Sequence, residues 1–112
     1  MATRIAISSS DGRMVDEHFG TTPQFLILDA CGDDLRCVDL RRNQPSCHGT
    51  GHDDSSMERS IRMIEDCQVL ITVRASALAQ ARLAERGIHV HQEATSIAAA
   101  VAALRNGQAV ST

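Results

Sequence analysis

The second half of this chain alternates short β-branched runs with Ala-rich helical segments, and that alternation constrains the fold more than any other feature. Val69-Leu70-Ile71-Thr72-Val73 is compact and apolar, which places a strand over residues 68–73. Residues 76–85 are rich in Ala and Leu and are stopped by Gly87, the pattern of a helix with glycine just past its end. Residues 88–91 form a second short strand. Thr95 then caps a helix that carries Ile97, Val101 and Leu104 on one face, with Gly107 at its end. Strand–helix–strand connections of this kind join parallel neighbours through right-handed crossovers.

The first half reads differently. Residues 4–8 are a short apolar strand. Residues 25–30 form a nearly continuous apolar run, as expected of a strand covered on both faces. Cys31-Gly32-Asp33-Asp34 is a turn, and residues 35–41 alternate as a third strand, so strands two and three make an antiparallel hairpin. A loop punctuated by Pro45, Gly49 and Gly51 leads to Asp54 or Ser55, either of which can cap a helix. Met57, Ile61 and Ile64 give that helix one apolar stripe, and it ends near Asp66. The order is β-β-β-α-β-α-β-α, an α/β sandwich on one mixed five-stranded sheet. The chain has 112 residues, enough for one core and not two. The expectation is a single domain over 1–112, with 107–112 as a loose tail.

Composition excludes several functions. Aromatic residues are only 2%, and the formal net charge is -3. A nucleic-acid surface needs aromatic stacking faces or a basic field, and neither is present. No apolar run approaches the ~20 residues that span a bilayer. The N-terminus enters a strand directly, so the expected setting is cytoplasmic, without a membrane partner. Cys31, Cys37, Cys47 and Cys67 form no Cys-x-x-Cys pair, which argues against a closed zinc site or a disulfide framework. Cys31, Cys37 and Cys67 are expected as small core or strand-end residues.

Two loops carry residues suited to chemistry. Residues 10–20 follow the first strand and contain His18, Phe19 and Gly20. A loop on a rigid scaffold is where binding residues gather, and imidazole is a ligand for metals and clusters. Residues 45–52 bring Cys47, His48 and His52 into one Gly-rich stretch, soft or borderline donors for iron–sulfur species, Cu(I) or zinc. An incidental solvent-exposed loop is the competing reading. Arg74 follows the fourth strand at the start of a helix, where it can meet an anion or sit as a rim charge. His89 and His91 are two apart and share a strand face. If strands one and four are neighbours, the His18 and Arg74 loops face one crevice at the strands' carboxyl ends. Asp11, Asp16 and Glu17 can be imagined as a magnesium site, but Asx turns that shape the loop explain them better. No nucleophile, base and orienting group assemble, so no catalytic residue is expected.

Taken together, these motifs resemble the nitrogenase iron–molybdenum cofactor biosynthesis and accessory-factor family. The similarity runs over about residues 4–107. It rests on Ser10-Asp11-Gly12 followed by Val15-Asp16-Glu17-His18-Phe19-Gly20, on Ile64-Glu65-Asp66-Cys67 before the fourth strand, and on Leu83-Ala84-Glu85-Arg86-Gly87-Ile88 before the fifth. Cys47-His48-Gly49 looks like the Cys-x-Gly segment of the radical-enzyme branch. The resemblance implies a ribonuclease-H-like, three-layer fold. It also implies non-catalytic binding of an iron–sulfur or molybdenum–iron–sulfur cluster, with His18 as a ligand. One departure stands out: Val73-Arg74-Ala75-Ser76 has no glycine where many members have a Gly-rich turn.

The resulting expectation is a small carrier or accessory protein that holds an anionic cluster transiently, as in nitrogen fixation or another metal pathway. His18, Cys47 and His48 would be the metal contacts, with Phe19, Gly20 and Arg74 completing the cofactor site. Its partners would be metallocofactor donor and acceptor proteins, and the chain a monomer or weak dimer. The alternatives are a metal-free protein–protein regulatory module of the same fold and, further off, a magnesium-dependent hydrolase.

Overall fold

A computed structural model describes residues 3–31, 34–43 and 54–105. Its elements are β1 (Thr3–Ser8), β2 (Gln24–Cys31), β3 (Asp34–Arg42), α1 (Asp54–Met63), β4 (Val69–Thr72), α2 (Ala77–Glu85), β5 (His89–Gln92) and α3 (Ile97–Arg105). The five strands form one mixed sheet in the order β3-β2-β1-β4-β5. β2 pairs antiparallel with both β1 and β3, whereas β4 pairs parallel with β1 and β5. β1 and β4 are therefore neighbours.

Alternation along the central strands divides the core in two. Ala6, Phe25, Ile27 and Leu70 meet Ile61 and Ile64 at α1 and its following turn, and Ala79 and Leu83 of α2. Ile5, Ile7, Leu28 and Ile71 meet Ile97, Ala100 and Val101 of α3. Successive residues of β1 and β2 thus feed opposite layers, which is why both strands read as unbroken apolar runs. Each fully buried Ile, Leu or Phe contributes about 1.5–3 kcal/mol, so these two clusters outweigh any surface pair. Among the described residues, no helix is long and apolar enough to cross a membrane.

The helix ends follow local chemistry. The Ser76 hydroxyl accepts a hydrogen bond from the Ala79 amide at 3.1 Å and caps α2. At its other end Gly87 has φ 76°, and its amide donates to the Ala84 carbonyl at 3.0 Å. α3 is capped by Ser96, not Thr95: the Ala99 amide donates to Ser96 Oγ at 3.1 Å. Thr95 is engaged elsewhere, its carbonyl accepting from the Val15 amide at 2.8 Å.

The cysteines separate by layer. Cys67 is only 3% exposed, and burial pushes its thiol up to about 12. Cys31 is exposed at the end of β2. Cys37 departs from the core or strand-end expectation: it sits mid-strand and exposed, because β3 is the sheet's edge and no helix of the described chain covers it. In a thiol-alkylation time course on the native protein, Cys31 and Cys37 are expected to label rapidly. Cys67 should label only as the fold opens. Comparable native-state rates for all three would contradict the burial of Cys67.

Arg41 reaches from β3 to Asp66 with two bonds, at 2.7 and 2.9 Å, and Arg4 of β1 reaches the same carboxylate at 2.9 Å. The Arg41 guanidinium, with Arg4 behind it, holds the Asp66 carboxyl well below the usual carboxylate range. This bridge ties two strands to the turn that enters β4.

Candidate functional site

The loop after β1 is built by its own side chains. The Asp11 carboxylate accepts from the Arg13 amide at 2.8 Å and the Met14 amide at 3.0 Å, which lowers its pKa. Gly12 between them has φ 77°, a conformation that favours glycine. Asp16 accepts from the Ser10 amide at 2.8 Å and the Ser10 hydroxyl at 2.5 Å. Asp11 thus makes an Asx turn, and Asp16 closes the loop back on Ser10, six residues earlier; both carboxylates shape the loop.

Two buried side chains then pin the segment that carries His18. Val15 lies in the α3-side core. Phe19, 2% exposed, lies in the opposite core with its ring centroid 5.8 Å from that of Phe25. Residues 16–18 run between these anchors. The Glu17 carbonyl accepts from the Val73 amide and the Thr72 hydroxyl, both at 3.1 Å, and the Phe19 amide donates to the Arg74 carbonyl at 2.9 Å. The segment is therefore bound alongside the carboxyl end of β4. His18 stands exposed between the two paired residues, and Arg74 is exposed on the other side of the pairing.

The glycine-free turn after β4 is held by two amide side chains. Gln92 Oε1 accepts from the Ala75 amide at 3.0 Å, and Gln80 Nε2 donates to the Ala75 carbonyl at 2.9 Å. Nothing in the local sequence marks Gln92, which lies 17 residues from its partner. Ser8 is also unmarked. Its hydroxyl is buried at the end of β1 and has no hydrogen-bond partner among the described residues.

His18, Phe19, Gly20 and Arg74 come together on this crest. The Phe19 ring points into the core, so its visible part is to fix the backbone beside His18. Gly20 is exposed, and a Cβ there would meet nothing within 4 Å, so no close approach requires glycine at that position. Cys47, His48 and His52 lie outside the described residues. The root of their loop is described: Asn43, buried, donates through Nδ2 to the Thr22 carbonyl at 3.2 Å and to the Ser60 hydroxyl at 3.1 Å. His91 is paired with Glu93 at 2.6 Å. Among the described residues, no group of three or more His, Cys, Asp or Glu side chains gathers to hold a metal ion.

Known proteins are similar to this chain in sequence and in architecture. The chain is 31% identical to the protein NifY of Azotobacter vinelandii over 79% of its own length and 35% of NifY. It is 29% identical to NifX of Klebsiella pneumoniae over 80% of its length and 55% of NifX. The iron–molybdenum cofactor biosynthesis protein NifB of Sinorhizobium fredii matches at 26% over 76% of the chain and 17% of NifB. The chain thus spans about half or less of the curated relatives it matches. Among solved structures, the apo form of the orange protein from Desulfovibrio gigas superposes with a TM-score of 0.75 at 23% identity, covering 96% of this chain and 91% of that one. The match to the family of the dinitrogenase iron–molybdenum cofactor extends over residues 1–107, and the chain belongs to that family.

Proposed function

We propose that this chain is a non-catalytic carrier or accessory protein that binds an anionic iron–sulfur or molybdenum–iron–sulfur cluster and passes it from a donor protein to an acceptor. One observation carries the reading. The His18 segment is bonded to the end of β4, so an exposed imidazole and an exposed guanidinium flank one short pairing on a rigid sheet. Membership of a family described by the iron–molybdenum cofactor supports the cargo. We also read the fold as ribonuclease-H-like, supported by helices on both faces of a mixed five-stranded sheet.

In this reading His18 donates a ring nitrogen to the cluster. Arg74 supplies charge complementarity, and Phe19 keeps the His18 backbone in place. Cys47 and His48 make a second contact. Cys47 is four residues beyond Asn43, a contour of at most about 14 Å, and Asn43 is bonded to the segment that leads away from His18. Few protein bonds suit cargo that must leave again, since each added ligand would slow transfer.

The test is an anaerobic absorbance titration of the protein with an isolated cluster. Wild type is expected to bind saturably, and His18→Ala at least about tenfold more weakly, the loss of one metal bond of modest strength. The variant should keep its fold, because an exposed loop substitution changes stability by only about 0.5 kcal/mol. A protein whose spectrum is unchanged by any cluster would favour the metal-free regulatory module instead. Equal affinity in variant and wild type would remove His18 from the site.

A further inference from the structure

β3 is the outer strand of the sheet, and no described element lies beyond it. Leu35, Val38 and Leu40 on this strand are 40%, 44% and 45% exposed. An uncovered edge of this length usually carries charges or a bulge that discourage pairing with another chain. β3 carries both, yet here the two devices match a second copy of the same strand.

The bulge is the key. Leu28 of β2 lies opposite Cys37, and Ile27 opposite Asp39, so Val38 is an extra residue with no partner of its own. Beyond it the alternation of faces is reset. Leu35 and Cys37 lie opposite Ala30 and Leu28, and Leu40 opposite Leu26, all on the α3 side. Arg36, opposite Asp29, lies on the other face, with Asp39 and Arg41, which stand opposite Ile27 and Phe25. Asp34 joins them by alternation.

Now let two β3 strands meet antiparallel about an axis between Cys37 and Val38. Leu35 then faces Leu40 of the second copy, Arg36 faces Asp39, and Asp34 faces Arg41. Every one of these pairs shares a face. In a regular strand they would not, because residues an odd number apart point to opposite sides. The charges are complementary at each position, and the leucines meet on the side that α3 leaves uncovered. Among the described residues Arg36 makes no ion pair, whereas Arg41 is already engaged by Asp39 and Asp66. The pairing therefore rests on Leu35 with Leu40 and Arg36 with Asp39, each occurring twice by symmetry; Asp39 already bonds Arg41 at 3.0 Å, but half of its side chain stays exposed, so its carboxylate can accept from a second guanidinium.

We propose that β3 is a self-complementary edge through which two copies of this chain join antiparallel, uniting their sheets into one. The occupant of the exposed leucine face is then the second copy's own β3. The inference stands on strand register and charge, independently of any cluster bound at His18.

Sedimentation of the full chain under reducing conditions, across a concentration series, tests it. Wild type is expected to show a monomer–dimer equilibrium. Arg36→Asp turns two attractive cross-strand pairs into two repulsive ones and should weaken association about tenfold or more. Adding Asp39→Arg to Arg36→Asp exchanges the charges and should restore it. Both positions are exposed, and circular dichroism reports whether each variant keeps its fold. A chain that stays monomeric at every concentration would overturn the proposal. So would a dimer indifferent to Arg36→Asp, or one that the double exchange fails to recover.

Discussion

Replacing Phe19 with Ala is expected to destabilise the protein by about 3–5 kcal/mol, the range for emptying a buried aromatic site. That is a large part of the ~5–15 kcal/mol that holds a domain of this size together. Phe19 is one of two aromatic residues in the chain, and it stacks at a tilt of 43° on the other. The core cluster it belongs to includes Ala6, Ala75 and Ala79, side chains too small to refill the space a lost ring would leave. The measurement is urea denaturation followed by far-ultraviolet circular dichroism. The midpoint should fall sharply while the slope stays constant. Phe19→Leu keeps most of the buried volume and is expected to cost less than about half as much. A loss below about 1 kcal/mol for Phe19→Ala would mean that the ring does not anchor the loop. The consequence for binding follows from the same contact. The loop that presents His18 is pinned by Val15 on one side of the sheet and Phe19 on the other. Loss of the ring should raise backbone exchange at residues 16–20 before it affects the sheet.

The role of Phe19 also shows what the sequence could and could not disclose. Strands and helices were readable because their signals are local: β-branched runs for β1 and β4, an apolar stripe on α1, glycine after α2. The neighbourhood of β1 and β4 stayed conditional in the sequence, because a right-handed crossover fixes the hand of a connection but not the edge of the hairpin that β4 joins; strand order supplies it. His18-Phe19-Gly20 stood out as a motif, but its residues do different things. The imidazole is exposed, the ring is core, and nothing crowds the glycine. A motif read along the chain does not say which of its side chains turn inward; that depends on which backbone groups pair with β4. The cap of α3 moved by one residue for a similar reason, because Thr95 lends its carbonyl to a segment 80 residues earlier. The supports of the Arg74 turn, Gln80 and Gln92, are ordinary polar residues in the sequence and become informative only once β5 lies beside β4. Cys37 was open to misreading because edge and central strands share the same alternation. Only strand order shows which of them is left uncovered.

Arg74 and His18 are expected to separate kinetically, though their backbones lie side by side. The clusters proposed as cargo are anionic, and the chain as a whole carries a net charge of -3, which repels them. A local cation at the point of entry then matters more than it would on a basic protein. Arg74 is exposed and held on a turn fixed at Ala75 from both sides, so its position is defined by the fold. Its effect should be on encounter: charge steering raises association and is screened over ~10 Å at 0.1 M salt. Arg74→Gln should therefore slow association several-fold at low ionic strength, flatten its salt dependence, and leave dissociation nearly unchanged. His18→Ala should do the reverse, because a ring nitrogen bonded to the cluster is broken only on leaving. Removing it should speed dissociation by about tenfold or more with little change in association. Stopped-flow mixing of an isolated cluster with each variant at two ionic strengths resolves both rates. If Arg74→Gln retained the wild-type association rate and salt slope, Arg74 would be a rim charge. If His18→Ala acted on association alone, the imidazole would be guiding the cluster rather than binding it.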